Sequence, residues 1–155
     1  MASRSLSKAK ERGVAVDDKV MARVDKYTRE NLESKSASPV ALYQGAQALE
    51  QMTRNEVGRK KNAAEIRQMT AQLSDAQYVR GFGSMGGEEF FSYLNISESM
   101  KRAGGKPWND WNEKIKSQLV QLQNQDGTWA GHHCITGRVS VTGAAILTLM
   151  VDQQL

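Results

Sequence analysis

The chain has 155 residues, 39% of them hydrophobic, which suits a single globular domain over 1–155 whose core needs no disulfide or structural metal. Its 21 basic and 17 acidic residues leave a net charge of +4. Two short basic clusters, 8–12 and 59–61, are not interleaved with aromatic residues. We therefore do not expect the chain to bind nucleic acid. The single cysteine, Cys134, excludes an internal disulfide and a four-cysteine zinc finger.

The apolar segments are too short to cross a membrane. The longest, 141–151, contains two threonines and Gly143, and none approaches the roughly 18 residues that a bilayer requires. The first ten residues are basic but lack the apolar region of a secretory signal. We therefore expect a cytoplasmic protein with no membrane span.

Apolar periodicity predicts an all-α fold. Residues such as Ile66, Met69 and Leu73 recur at helical spacing, and no segment alternates as a strand does. Both prolines, Pro39 and Pro107, stand where proline is tolerated in the first turn of a helix. Polar and apolar helices alternate along the chain, which indicates two concentric layers. The predicted helices are 17–30, 39–53, 62–74, 88–103, 108–122 and 140–152.

Glycines suggest an internal repeat of helical hairpins. Gly13, Gly58 and Gly104 are each expected to follow a basic or polar helix end and to precede a polar helix, and they are separated by 45 and 46 residues. Glycine also ends many helices as a left-handed cap, so a chance alignment is the alternative. A second set of markers has an offset of 46 residues and pairs Gln77 and Gly81 with Gln123 and Gly127.

The clearest motif spans the end of the helix predicted over 108–122 and the segment after it. It reads L-x3-Q-x3-G-x-W and consists of Leu119, Gln123, Gly127 and Trp129. An amide can bind a carbonyl at a helix end, glycine permits a left-handed turn, and an indole can cover the junction. The motif resembles the QW repeat of squalene and oxidosqualene cyclases and the helix-end motif of protein prenyltransferase β subunits. This resemblance implies a structural junction between hairpins of an α/α toroid.

The chain also departs from that family. Gln118 stands where the family has an aromatic residue, the earlier copy over 77–83 ends in Gly83 instead of tryptophan, and 31–36 carries no copy. At the proposed period the chain holds roughly three hairpins, too few to close such a ring. We expect either a missing N-terminal half that completes the toroid or pairing with a second copy of the chain.

The sequence assigns no catalytic residue. The cyclases that it resembles protonate their substrate with a D-x-D-D motif, which is absent here. The nearest feature, Asp17 and Asp18, is explained by favourable charge at a helix N-terminus.

Prenyltransferases instead use zinc bound by aspartate, cysteine and histidine, which directs attention to His132, His133 and Cys134. In the family's architecture this loop faces the mouth of the central cavity. Glu88 and Glu89 occupy the equivalent position one repeat earlier, so the pair is a candidate to line the mouth with the loop. Zinc is the only cofactor that the resemblance suggests. The alternatives are a packing or surface role for the loop and ordinary helix capping by the glutamates.

The sequence supports two main functional hypotheses. The first is a prenyltransferase- or terpene-cyclase-like toroid segment whose apolar inner helices bind an isoprenoid or another apolar ligand. The second is a non-catalytic helical repeat module that binds protein partners through its concave face. A plain helical bundle with accidental glycine spacing is the third possibility.

Overall fold

The computed structural model of the chain describes residues 2–32, 39–75 and 86–153. These residues form α-helices, turns and one short 3₁₀ helix, with no strand among them, which confirms the all-α prediction. None of the described helices is long and apolar enough to cross a membrane. The helices are α1 Ala2–Glu11, α2 Asp18–Leu32, α3 Pro39–Thr53, α4 Glu56–Lys61, α5 Ala63–Ser74, α6 Gly87–Ala103, α7 Gly105–Gln121 and α8 Arg138–Leu149, followed by the 3₁₀ helix Val151–Gln153.

Helix α6 is the centre of the fold. It contacts α3, α7, α8 and the 3₁₀ helix, while α5 contacts α3 and α7. By these contacts the apolar helices α3, α6 and α8 form one row, and the more polar helices α5 and α7 pack beside it. A closed ring does not follow from these contacts, so the toroid remains a prediction.

The core face of α6 repeats every three to four residues. Phe90, Tyr93, Ile96 and Met100 are each at most 1% exposed. The rings of Phe90 and Tyr93 meet edge to face with their centroids 6.0 Å apart. Burial of these side chains provides the apolar stabilisation that fixes α6 against its neighbours.

Two hydrogen bonds join polar side chains of α6 and α7 beside this face. The indole Nε1 of Trp111, on α7, donates to Ser97 Oγ at 2.8 Å, and Gln118 Nε2 donates to the hydroxyl of Tyr93 at 3.0 Å. Burial raises the pKa of Tyr93, and the charge of Glu89 raises it further. The phenol therefore stays neutral across the physiological range and acts as a structural acceptor.

Several sequence predictions need correction. Gly58 does not follow a helix end; it lies inside the short helix α4, where its N–H donates to Asn55 Oδ1 at the helix N-cap. Gly13 and Gly104 do follow helices with φ values of 81° and 73°, so only two of the three glycines are equivalent. The markers Gln77 and Gly81 lie outside the described residues. The spacing of Val20, Val24 and Tyr27 predicts a shared apolar face on α2, but Tyr27 is 63% exposed.

Candidate functional site

The loop between α7 and α8 is anchored by the Leu119–Trp129 motif. Trp129 is 3% exposed, and its Nε1 donates to the backbone carbonyl of Leu119 at 2.8 Å. Gln123 Nε2 donates to the carbonyl of Gly127 at 2.9 Å, within the loop. Gly127 has a φ of 80°, a left-handed conformation that favours glycine. The indole, not the glutamine amide, therefore caps the helix-end carbonyl.

The same loop is tied to α8. Thr142 Oγ1 accepts from the Trp129 N–H at 3.0 Å and donates to the Trp129 carbonyl at 3.2 Å. Asp126 accepts from the Thr128 N–H and hydroxyl and forms an ion pair with Arg138, and these contacts lower the pKa of Asp126. The loop thus has a fixed path before it reaches the N-terminus of α6.

Two glycines allow this loop to touch the start of α6. A Cβ atom on Gly87 would lie 1.9 Å from the carbonyl oxygen of Ile135, and one on Gly131 would lie 2.2 Å from the same oxygen. Both distances are far below van der Waals contact, so neither position admits a side chain without displacement of the backbone. The N–H of Gly87 also faces the carbonyl of His133, with an N···O distance of 3.4 Å.

This approach brings together three side chains, Glu88, His133 and Cys134, which we name the Glu-His-Cys cluster. His133 Nδ1 lies 3.3 Å from Cys134 Sγ and 3.7 Å from Glu88 Oε1. One ligand atom from each residue lies within 4.8 Å of the other two. Cys134 has a φ of 56°, unusual for a residue other than glycine, and this conformation belongs to the tight turn of the loop.

The electrostatics of the cluster favour a positive partner. Glu88 Oε2 is buried and has no hydrogen-bond partner among the residues that the structure describes. A hydrogen bond to Glu88 raises the pKa of the Cys134 thiol, and the charges of Glu88 and Glu89 act in the same direction. A carboxylate beside a thiol opposes formation of the thiolate. A cation held by the three groups would offset that repulsion.

The donor types of the cluster suit zinc, and so do the two distances from His133 Nδ1. Zinc accepts thiolate, imidazole and carboxylate ligands at about 2.0–2.3 Å, so neighbouring ligand atoms in a tetrahedral site are about 3.3–3.8 Å apart. The two distances from His133 Nδ1, 3.3 Å and 3.7 Å, already fall in that range. Three protein ligands with a fourth position open are typical of catalytic zinc.

The other two candidates do not join the cluster. His132 precedes His133 but is exposed and lies outside the group of mutually close ligand atoms. Glu89 is 1% exposed, so its carboxylate lies in the interior, near enough to Tyr93 to raise the pKa of that phenol. Successive helical residues point about 100° apart, so Glu88 and Glu89 face different surroundings, and the expectation that Glu89 lines a cavity mouth stays a prediction.

Sequence reasoning missed the role of Gly87 and Gly131. The sequence signals for this contact are a Gly-Gly pair at the start of α6 and a glycine just before His-His-Cys. Neither signal shows that the two segments touch. Comparison of the chain with models of known families, with curated proteins and with solved structures finds no match.

Proposed function

We propose that this chain is a zinc-binding segment of a prenyltransferase-like helical toroid that holds an apolar, isoprenoid-type ligand. The observation that carries this proposal is the Glu-His-Cys cluster at the start of the central helix. The sequence makes Glu88 a candidate to line the cavity mouth with the His-His-Cys loop, and one of its carboxylate oxygens lies within 4.8 Å of ligand atoms of His133 and Cys134. The Leu119–Trp129 junction and the row of apolar helices are compatible with the same family.

In this proposal Glu88, His133 Nδ1 and Cys134 hold the metal. Zinc in such a site lowers the pKa of a thiol or water at its open position, which makes a nucleophile available near neutral pH. The Gly87–Gly131 approach sets the position of the carboxylate relative to the loop. Trp129 and Thr142 fix the loop on the other side, so the three ligands are supported by α6, α7 and α8.

An apolar ligand has a surface beside the cluster. Phe91 and Leu94 are only partly buried and follow Glu88 at intervals of three residues, beside the core stripe of α6, and Phe91 packs against the core with part of its ring. A ligand whose reactive end meets the cluster would place its apolar part along these two side chains. This arrangement favours a substrate with a long apolar tail over a wholly polar one.

Metal analysis tests the proposal directly. Purified chain loaded with zinc and dialysed should retain one zinc per chain, and Glu88→Ala, His133→Ala and Cys134→Ser should each lose most of it. His132→Ala is the matched control and should retain the metal, because this exposed neighbour lies outside the cluster. Substitution with Co²⁺ should give a thiolate-to-metal charge-transfer band that Cys134→Ser removes. A folded chain without zinc, or equal zinc in all variants, would exclude the metal site.

Ligand binding is tested separately. A fluorescent isoprenoid should bind the chain, and Phe91→Glu or Leu94→Glu should weaken binding at least tenfold. Val120→Glu places the same charge on an exposed apolar residue of α7 and should leave binding unchanged. No saturable binding by a folded sample would remove the isoprenoid part of the proposal.

A second candidate function, a helical module that binds a protein partner, is favoured by one surface. Val139, Ile146 and Leu147 lie within one face of α8 and Met150 directly follows the helix, and all four are between 44% and 90% exposed. We name this set the α8 stripe. Because α8 meets α6 on its other side, the stripe is exposed within the part of the chain that the structure describes, where it can pair with the same stripe of a second copy.

A further inference from the structure

A separate groove lies at the opposite end of α6 from the Glu-His-Cys cluster. It is bounded by α4, α5 and the junction between α6 and α7, and its volume is about 440 Å³. This size suits a small organic ligand. Since α6 has 17 residues, the groove lies about 24 Å along the helix axis from the cluster.

The floor of the groove is apolar. Ala63, Ile66 and Ala71 contribute from α5, and Ala103 and Pro107 from the two sides of the helix junction. Ile66 is 9% exposed and belongs to the core, so the floor is continuous with packed structure. A ligand here would transfer apolar surface out of water, which favours binding by about 25 cal/mol per Å².

The charge of the groove is positive. Arg59 and Arg67 line it, and no carboxylate does so among the residues that the structure describes. Arg67 is exposed and makes no hydrogen bond or ion pair with a described residue. Arg59 donates through Nη1 to the carbonyl of Thr53 at 3.1 Å, which fixes its side chain and leaves other guanidinium N–H groups for a ligand.

We propose that this groove binds a small amphipathic anion, in which an oxyanion group meets Arg59 and Arg67 and a short apolar chain lies on the floor. Guanidinium groups form paired, charge-assisted hydrogen bonds with carboxylate and phosphate oxygens. The N-terminus of α7, which starts at Gly105 with no side-chain cap, adds a favourable partial charge at the same edge. Neither feature involves the metal ligands, so binding here is independent of zinc.

Calorimetric titration of the intact chain with decanoate tests the proposal. Decanoate should bind saturably, and Arg67→Gln should weaken it about tenfold, the scale expected for one charged hydrogen bond. Arg23→Gln removes an exposed arginine from α2 and is the matched control, with no change expected. Ala71→Phe should also weaken binding, because it fills an exposed part of the groove and leaves both arginines intact.

The probes separate the parts of the ligand. Decanol should bind at least tenfold more weakly than decanoate because it lacks the charge, and inorganic phosphate should bind more weakly because it lacks the chain. Glu88→Gln should bind decanoate like the parent chain, which keeps this result distinct from failure of the metal site. Equal binding of decanol and decanoate, or an unchanged affinity in Arg67→Gln, would overturn the proposal.

Discussion

At the scale of single residues, Trp129 joins the α7–α8 loop to both helices. Its indole is buried and donates to the Leu119 carbonyl. Its backbone N–H donates to the hydroxyl of Thr142. The sequence motif assigned the helix-end hydrogen bond to a glutamine, but Gln123 binds the loop carbonyl of Gly127. An exposed amide closes the turn, while the buried indole joins the turn to the helix.

Replacement of Trp129 by phenylalanine should lower the free energy of unfolding by about 1–3 kcal/mol. The change removes the Nε1–H donor to Leu119 and leaves a small cavity at a buried site. Denaturant titration followed by circular dichroism measures the effect without relying on tryptophan fluorescence. Trp108→Phe is the control and should cost less, because Trp108 is partly buried and its indole makes no hydrogen bond with a described residue. Equal losses in the two variants would contradict the role assigned to Trp129.

At the scale of elements, the sequence predicts most of the long helices because a periodic apolar face determines them. The bounds of α3, α5 and α6 fall within one residue of the sequence prediction. Helix α4 was missed because it has six residues and buries none of them, so it leaves no periodic signal. The same lack of a periodic signal explains why the position of Gly58 is predicted wrongly. Spacing alone does not distinguish a glycine inside a short helix from a glycine that ends a helix.

The candidate site was predictable only in part. Glu88, His133 and Cys134 were identified as candidates at the start of α6 and in the loop before α8. In the structure Glu88 meets the loop and Glu89 enters the core. This difference depends on the rotation of α6 about its axis, which the packing of Phe90 and Tyr93 sets. The contact between Gly87 and Gly131 depends on tertiary distance, which no local pattern contains.

The glycine contact gives a prediction at this scale. Gly131→Ala should destabilise the chain by about 1–3 kcal/mol and weaken zinc binding, because its Cβ would meet backbone atoms of Gly87 and Ile135 within 2.7 Å. Gly143→Ala is the matched control, since nothing lies within 4 Å of its Cβ on α8. Alanine there should stabilise the helix by about 0.5–1 kcal/mol. Thermal unfolding and zinc titration of both variants check the contrast, and a harmless Gly131→Ala would contradict the close approach.

At the scale of the whole molecule, α6 connects two surfaces of different character. Its N-terminus lies at the Glu-His-Cys cluster and its C-terminus at the arginine-lined groove, while α8 packs along one side and presents its stripe outward. The 3₁₀ helix is held to the same body because Lys101 Nζ donates to the Val151 carbonyl at 2.7 Å. A partner bound on the α8 stripe would therefore lie next to α8 without covering the groove on α5.

Self-association through the α8 stripe is the prediction at this scale. The chain should dimerise with increasing concentration, because pairing two copies of the stripe removes apolar surface of four exposed side chains on each copy. Sedimentation velocity over a concentration series measures it, and the double variant Ile146→Glu with Leu147→Glu should remain monomeric. Val120→Glu, on the exposed face of α7, should dimerise like the parent chain. If the parent chain stays monomeric throughout the series, or if Val120→Glu abolishes association as well, the stripe is not the interface.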